Sequence, residues 1–323
     1  MLNQLKIINT FLLMFLASSM TANLGAAEAA SSNEVLEAQK EQNFSYEAKQ
    51  AILSEDLERA GKLIEAVLEK HPEDAESYRV AGDIYVTRAQ SASLFSAPGL
   101  AKKGLKSYLK SVELAPKNVR YRLNLLQYYL QAPSIVGGNK DKAVEQASKI
   151  KELNTVKGII AQGIINTENE DLKAREALLS SLDEELANQP QIKLEKAQYL
   201  LNSGKFEQGL NELEVLAAIP SNTFTDKDDK KVPFKALLTM GFLGLKDEGI
   251  DYTEKSITAF EKYIETAPKE YGYPSKPWIR FALAKLYAQN EQTELAKAAF
   301  EQIQQESQSK QLLKETKKAL KKL

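Results

Sequence analysis

The sequence predicts an all-α fold: an α-solenoid of helix-turn-helix repeats with inserted loops and a C-terminal capping helix. Apolar residues recur at intervals of three and four, as at Ala60, Ile64 and Val67, which places them on one face of a helix. Few runs of β-branched residues interrupt this pattern. The pattern is divided by prolines, which punctuate helices: Pro72, Pro116, Pro190, Pro220 and Pro268.

Composition and charge indicate an ordinary folded protein. The chain has 323 residues, of which 43% are apolar and 27% are charged, and its formal net charge is −1. Such values are not typical of disordered chains. A protein that binds nucleic acid broadly needs a basic face to displace counterions, so we expect no nucleic-acid partner.

Residues 1–29 have the features of an export signal. Lys6 supplies a positive charge, Ile7–Ser18 is mostly apolar, and small residues at Ala27 and Ala29 offer a cleavage site before Ala30. A membrane anchor is the alternative, but the apolar run is shorter than the ~20 residues that a spanning helix needs. We therefore expect cleavage, a flexible leader over residues 30–42, and a periplasmic or secreted protein with no integral membrane segment.

The scarcity of reactive side chains argues against catalysis. The chain contains no cysteine, so it has neither a disulfide framework nor a thiolate nucleophile. His71 is its single histidine, which excludes zinc sites built on several histidines. Carboxylate chemistry stays open in principle, but no pair of acidic residues stands out. We expect no catalytic residue, no metal and no cofactor.

Several segments carry a repeat pattern. The segment 78–85 (YRVAGDIY) resembles the first helix of a tetratricopeptide repeat, and the segments 283–287 (LAKLY) and 296–300 (AKAAF) have the spacing of a later one. The chain thus resembles the tetratricopeptide-repeat (TPR) family over most of residues 44–304. We divide it into N-terminal repeats with inserts at 43–155 and further repeats at 156–309.

A narrower resemblance concerns an insert in the second unit. Segment 81–85 (AGDIY), an insertion at 91–100 and segment 129–138 (YLQAPSIVGG) are similar to those of exported bacterial TPR proteins with a Y-L-x-A-P-x-I-x-G-G insert. Pro72 and Pro116 lie 44 residues apart, against a usual period of about 34, which indicates roughly ten inserted residues. The chain is also similar to helical-repeat components of bacterial solute uptake, which implies a small ligand as an alternative.

The Gly-Gly pair within this segment has two interpretations. Exposed amides before a helix could hold an anion. Alternatively, Pro133 ends one helix, Gly137 and Gly138 let the chain bend around the 91–100 insertion, and the next helix starts at Lys140 after Asn139. We favour the second interpretation and expect the two loops to pack together on one edge of the solenoid.

The TPR resemblance implies that the first helix of each pair lines a concave groove. Arginine and aromatic side chains suit partner recognition there, because they combine contact area with directional polar groups. The alternative for the aromatic residues at 278 and 281 is that they complete the core of the last helix pair. The candidate groove residues are Arg79, Asp83, Arg122, Tyr129, Trp278, Phe281 and Lys285.

The C-terminal segment 310–323 (KQLLKETKKALKKL) is predicted to form a basic capping helix. It contains six lysines and one glutamate, and its leucines lie roughly on one face. Such a helix covers the last apolar face of a solenoid while its lysines complement the helix dipole. Docking on an anionic lipid or another acidic surface is the alternative.

These observations favour a non-enzymatic scaffold of the cell envelope that binds a protein or peptide partner in its concave groove. The alternative is a small-solute-binding component of an envelope transport system, in which loops 91–100 and 131–139 close a pocket. An enzyme is the third and weakest hypothesis.

Overall fold

A computed structural model describes residues 57–245, 252–268, 276–307 and 309–323. Over these residues the chain is helical and contains no strand, so the predicted all-α fold is confirmed. The predicted export signal, the leader and the start of the first repeat lie outside the described residues. Two compact units divide the chain, one ending at Asn169 (the N-terminal unit) and one beginning at Glu170 (the C-terminal unit).

The N-terminal unit has six described helices and a short 3₁₀ turn at Ser134–Val136. In chain order the helices are α1 (Leu57–Lys70), α2 (Ala75–Ser91), α3 (Ala97–Leu114), α4 (Val119–Gln131), α5 (Lys140–Leu153) and α6 (Thr155–Glu168). Each packs on the next along the chain, as expected for helix-turn-helix repeats.

The C-terminal unit has nine described helices and 3₁₀ turns at Ser221–Thr223 and Asp229–Lys231. The helices are α7 (Leu172–Ser180), α8 (Glu184–Ala187), α9 (Pro190–Asn202), α10 (Phe206–Ala218), α11 (Val232–Leu243), α12 (Thr253–Thr266), α13 (Lys276–Gln289), α14 (Thr293–Glu306) and α15 (Lys310–Leu320). From α9 onward each helix packs on its successor.

Asparagine and aspartate side chains begin several helices of the N-terminal unit. Asp74 accepts hydrogen bonds from the amides of residues 76 and 77 at the start of α2. Asn118 accepts hydrogen bonds from the amides of residues 120 and 121 at the start of α4. Asn139 and Asn154 cap α5 and α6 in the same way, each at 2.9 Å from a backbone nitrogen. These caps satisfy amides that a helix start leaves without an internal partner.

Helices α2 and α3 approach each other closely. A Cβ atom on Gly82 would lie 2.3 Å from the ring of Tyr108, and one on Gly104 would lie 2.7 Å from Val86. Because real Cβ atoms do not come this close, glycine is needed at both positions. Ser107 and Ser111 are also buried in α3, and their small side chains allow the close approach.

The core of the C-terminal unit extends from α9 to α15. Phe260, Phe300 and Ile303 are buried within it, and Leu312 of α15 belongs to the same cluster with none of its surface exposed. The last helix therefore covers the apolar face that α14 would otherwise present to water. The predicted capping helix is confirmed.

Two predicted boundaries differ from the structure. The predicted boundary at 155/156 lies before α6, whereas the division lies after it, because α6 packs on α5 and α4. The predicted 91–100 loop is shorter, since Ser91 ends α2 and Ala97 begins α3. Pro98 favours this early start, because proline fits the first turn of a helix.

We expect Gly82→Ala to lower the free energy of unfolding by about 1–3 kcal/mol, because the added methyl group overpacks the contact with Tyr108. Urea denaturation followed by circular dichroism measures this effect. Gly99→Ala is the control: it lies in α3 with no atom within 4 Å of the added Cβ, and it should be neutral or stabilising by up to ~1 kcal/mol. Equal midpoints for the two variants would contradict the close approach.

Candidate functional site

One inserted loop of the N-terminal unit leads into α3, and the other lies against that helix. Residues 92–96 lead directly into α3, and residues 132–139 connect α4 to α5. Val136 is buried, and a Cβ on Gly137 would lie 2.4 Å from the Leu105 side chain of α3. The second loop thus lies against the helix that the first loop begins, and direct packing of the two loops on each other stays a prediction.

Tyr128 of α4 holds this arrangement. Its hydroxyl group lies 2.9 Å from the carbonyl oxygen of Ala101 and 2.8 Å from that of Val136, so its one proton is shared between α3 and the second loop. Its ring packs edge-on against Tyr108, with the ring centroids 6.2 Å apart. Burial raises the pKa of Tyr128, which keeps the donor protonated.

The Gly-Gly pair has a structural role in this loop. Gly137 has a φ of 101°, which favours glycine, and a Cβ on Gly138 would lie 1.7 Å from the carbonyl oxygen of Ala132. The amides of residues 137, 138 and 139 all donate within the chain, to the carbonyls of Ser134, Pro133 and Tyr129 at 2.8–3.1 Å. Because these three amides are engaged, the geometry favours the bend over an anion site at residues 137–139.

The tips of both loops carry exposed apolar side chains. Phe95 is 99% exposed, Leu94 91% and Ile135 77%, which are the highest values of any large apolar residue among those described. We call these three residues the loop patch. Sequence reasoning located both loops but did not select these residues as contacts. The available signal was a Leu-Phe pair between serines, in a segment too short to bury them.

Arg79 and Asp83, two predicted groove residues, lie inside the contact between α2, α3 and α4. Arg79 is 1% exposed and is paired with Glu76 at 2.8 Å and with Asp83. Burial alone would lower the pKa of Arg79, but Asp83 and Glu76 raise it above its usual value. The guanidinium group therefore stays charged within the fold.

Asp83 also accepts hydrogen bonds from two other helices. The Tyr108 hydroxyl donates to it at 2.8 Å and the Asn124 amide at 3.3 Å. Burial and the Asp83 carboxylate together raise the pKa of Tyr108 well above its usual value. The carboxylate of Asp83 thus joins α2 to both of the next helices.

Arg122 and Tyr129 lie on α4, and both contact residues of α5. The Arg122 guanidinium donates to the Pro116 carbonyl at 2.7 Å and to the Gln146 side chain at 2.8 Å. Tyr129 is buried, and the ammonium group of Lys142 lies 5.7 Å from its ring centroid. These contacts are intramolecular, and a role of either residue in partner binding stays a prediction.

In the C-terminal unit, Trp278 and Phe281 lie on α13 and pack partly buried against the core. Their rings meet edge to face at 6.1 Å, and Phe281 makes a similar contact with Phe300 of α14 at 5.5 Å. These contacts fit the alternative in which the two aromatic residues complete the last helix pair. Lys285 is exposed. The predicted groove residues are therefore divided between two units.

The described residues contain no group of three or more histidine, cysteine, aspartate or glutamate side chains placed to hold a metal ion. None of the helices described above combines the length and apolar character needed to cross a membrane.

Comparisons with known proteins find no matching family model and no matching curated protein. Among solved structures, the chain is similar to a tetratricopeptide repeat protein from Parabacteroides merdae (15% identity, 88% of this chain, 98% of that chain, TM-score 0.41). It is also similar to a thermophilic TPR protein of Thermus thermophilus (18% identity, 61% of this chain, 99% of that chain, TM-score 0.40). A third similar structure is yeast Tom70 (16% identity, 97% of this chain, 69% of that chain, TM-score 0.49). Similarity at this level assigns no partner to the chain.

We expect Tyr128→Phe to lower the free energy of unfolding by about 1–2 kcal/mol, because it removes the donor shared by Ala101 and Val136. Tyr129→Phe is the matched control in the same helix, since the Tyr129 contact described above is made by its ring and not by its hydroxyl; a loss below ~0.5 kcal/mol is expected. Chemical denaturation measures both. If the two variants lose equal stability, the Tyr128 hydroxyl does not hold the loop.

Proposed function

We propose that this chain is a non-enzymatic helical-repeat scaffold of the cell envelope that binds a protein or peptide partner. The observation that carries the proposal is the loop patch: Leu94, Phe95 and Ile135 are the most exposed large apolar side chains of the described residues. Leu94 and Phe95 are adjacent in sequence, and neighbouring exposed apolar side chains on a folded protein are typical of interaction sites.

The loop patch has a rigid support. The loop that carries Ile135 is held by the Tyr128 hydroxyl, by Val136 in the core and by Gly137 against Leu105. Leu94 and Phe95 stand immediately before α3. A preorganised contact surface loses little conformational entropy when it binds, so more of the burial energy contributes to affinity.

The energy available from the loop patch is sufficient for a specific contact. Burying a side chain of this size contributes roughly 1.5–3 kcal/mol, so three contribute roughly 5–9 kcal/mol before the costs of association. The partner should therefore present an apolar cleft that accepts Phe95 and its neighbours. Binding through the predicted concave groove is a separate hypothesis, because Arg79, Arg122 and Tyr129 already have partners within the fold.

Small-solute binding is the less favoured alternative. It requires the loops to close over a pocket, whereas Val136, Leu105 and Tyr128 pack directly between the second loop and α3. The side chains at the loop tips face solvent. This arrangement favours contact with a macromolecule.

The loop patch is tested by affinity capture from envelope extract followed by quantitative mass spectrometry. We expect Leu94→Glu with Phe95→Glu to reduce recovery of specific partners at least tenfold, because two carboxylates would have to enter an apolar cleft. Val215→Glu is the matched control, since Val215 is an exposed apolar residue of α10, at 63%, outside the loop patch. Equal recovery with all three proteins, each shown to be folded, would exclude the loop patch.

Export is a further part of the proposal, as is kinship with the exported bacterial TPR proteins that carry the Y-L-x-A-P-x-I-x-G-G insert. The first is supported by residues 1–29 and the second by residues 129–138. A chain delivered to the envelope should begin at Ala30 after cleavage.

Intact-mass measurement of the protein recovered from envelope and cytoplasmic fractions tests export. We expect Leu12→Arg with Leu13→Arg to leave an uncleaved precursor in the cytoplasm, because charges interrupt the apolar segment. The control, Asn3→Arg with Gln4→Arg, adds the same charge before that segment and should still be cleaved. An uncleaved wild-type chain would contradict export by this route.

A further inference from the structure

The last helix, α15, has two different faces. Its inner face closes the core: Leu312 and Thr316 are fully buried, and Ala319 and Leu320 pack partly buried against the core. The inner face accounts for the position of the helix. It does not account for the character of the outer face.

The outer face forms a shallow groove with a volume of about 460 Å³, lined by Leu313 and by Lys314, Lys317, Lys318 and Lys321. We call it the lysine groove. Because the lysines recur at intervals of three and four residues, their four ammonium groups lie along one side of the helix, over roughly 10 Å. The aliphatic stems of the lysines and Leu313 supply an apolar floor below these charges.

The charge of this segment is far from the average of the chain. Residues 310–323 contain six lysines and one glutamate, a net charge of +5, whereas the whole chain carries −1. The remaining residues therefore carry −6. The glutamate, Glu315, pairs with Lys318 at 2.8 Å, so the segment cannot neutralise its other lysines by itself.

We propose that the lysine groove docks the protein on an anionic phospholipid surface. Charge complementarity and the mixture of lysine with leucine carry this inference. Lysines near an anionic bilayer are each attracted to it, and their stems allow the ammonium groups to reach the headgroups while leucine contacts the acyl boundary.

Nucleic acid fits the same face less well. Residues 310–323 contain no aromatic side chain on which a base could stack and no arginine for bidentate phosphate contacts. Lysine acts as a point charge and does not require a fixed phosphate geometry, which suits a fluid array of headgroups. Docking would hold the proposed scaffold at a membrane without a spanning helix, which goes beyond partner binding.

The test is sedimentation with vesicles of phosphatidylglycerol and phosphatidylcholine at a ratio of 3:7, and with vesicles of phosphatidylcholine alone. The protein is the exported form, purified with its natural N-terminus. We expect binding to the anionic vesicles only, weakening as the salt concentration rises. Lys314→Gln, Lys317→Gln and Lys321→Gln together should weaken it roughly a hundredfold, because each lysine contributes about fivefold.

The matched control is Lys106→Gln, Lys173→Gln and Lys297→Gln, three exposed lysines outside α15 with the same total charge change. It should bind within about twofold of the wild type, and thermal melting should show that both triple variants are folded. Equal losses in the two variants would show a general charge effect and overturn the proposal. Absence of binding to anionic vesicles, or tighter binding to a single-stranded oligonucleotide than to vesicles, would also overturn it.

Discussion

The N-terminal unit depends on the contact between the Gly82 backbone, the Asp83 carboxylate and Tyr108. Glycine lets the tyrosine ring lie directly on α2, and the ring then directs its hydroxyl to Asp83 at 2.8 Å. Asp83 can be partly buried because Arg79 neutralises it and because Asn124 supplies a further hydrogen bond. A carboxylate here without these partners would be destabilising, so the hydrogen bonds that Asp83 accepts help to hold α3 and α4 against α2.

Both sequence motifs of the insert serve the same helix. The AGDIY segment positions α3 through the hydrogen bond between Asp83 and Tyr108. The YLQAPSIVGG segment and Tyr128, which precedes it, contact α3 at Leu105 and Ala101. Helix α3 has 18 residues and α4 has 13, so α3 is long enough to contact both segments. Because these contacts fix the position of α3, they also fix the position of Leu94 and Phe95, which directly precede that helix.

The helices and several of their ends could be predicted from the sequence, since these depend on local spacing and capping. The prediction that α5 starts at Lys140 after Asn139, and the prediction of a C-terminal capping helix, are examples. Arg79 shows what local information misses. An arginine on a first helix predicted a residue of the groove, but Arg79 is buried. Its burial depends on two acidic side chains of its own helix and on packing by other helices. The exposure of Phe95 is equally non-local, because it reflects the absence of a covering element among the described residues.

A capping helix must be apolar inside and polar outside, and this requirement does not specify the sign of its charge. Mixed glutamate and lysine at positions i and i+4 would make α15 soluble and would stabilise it by internal ion pairs. The segment instead concentrates six lysines, which repel one another within a few turns of helix and weaken the cap slightly. The dipole of a helix explains lysines in its last turn, such as Lys317 and Lys318, but not Lys314 nearer its beginning. Since neither solubility nor capping requires this excess of one sign, an external negative surface is the simplest physical reason for it.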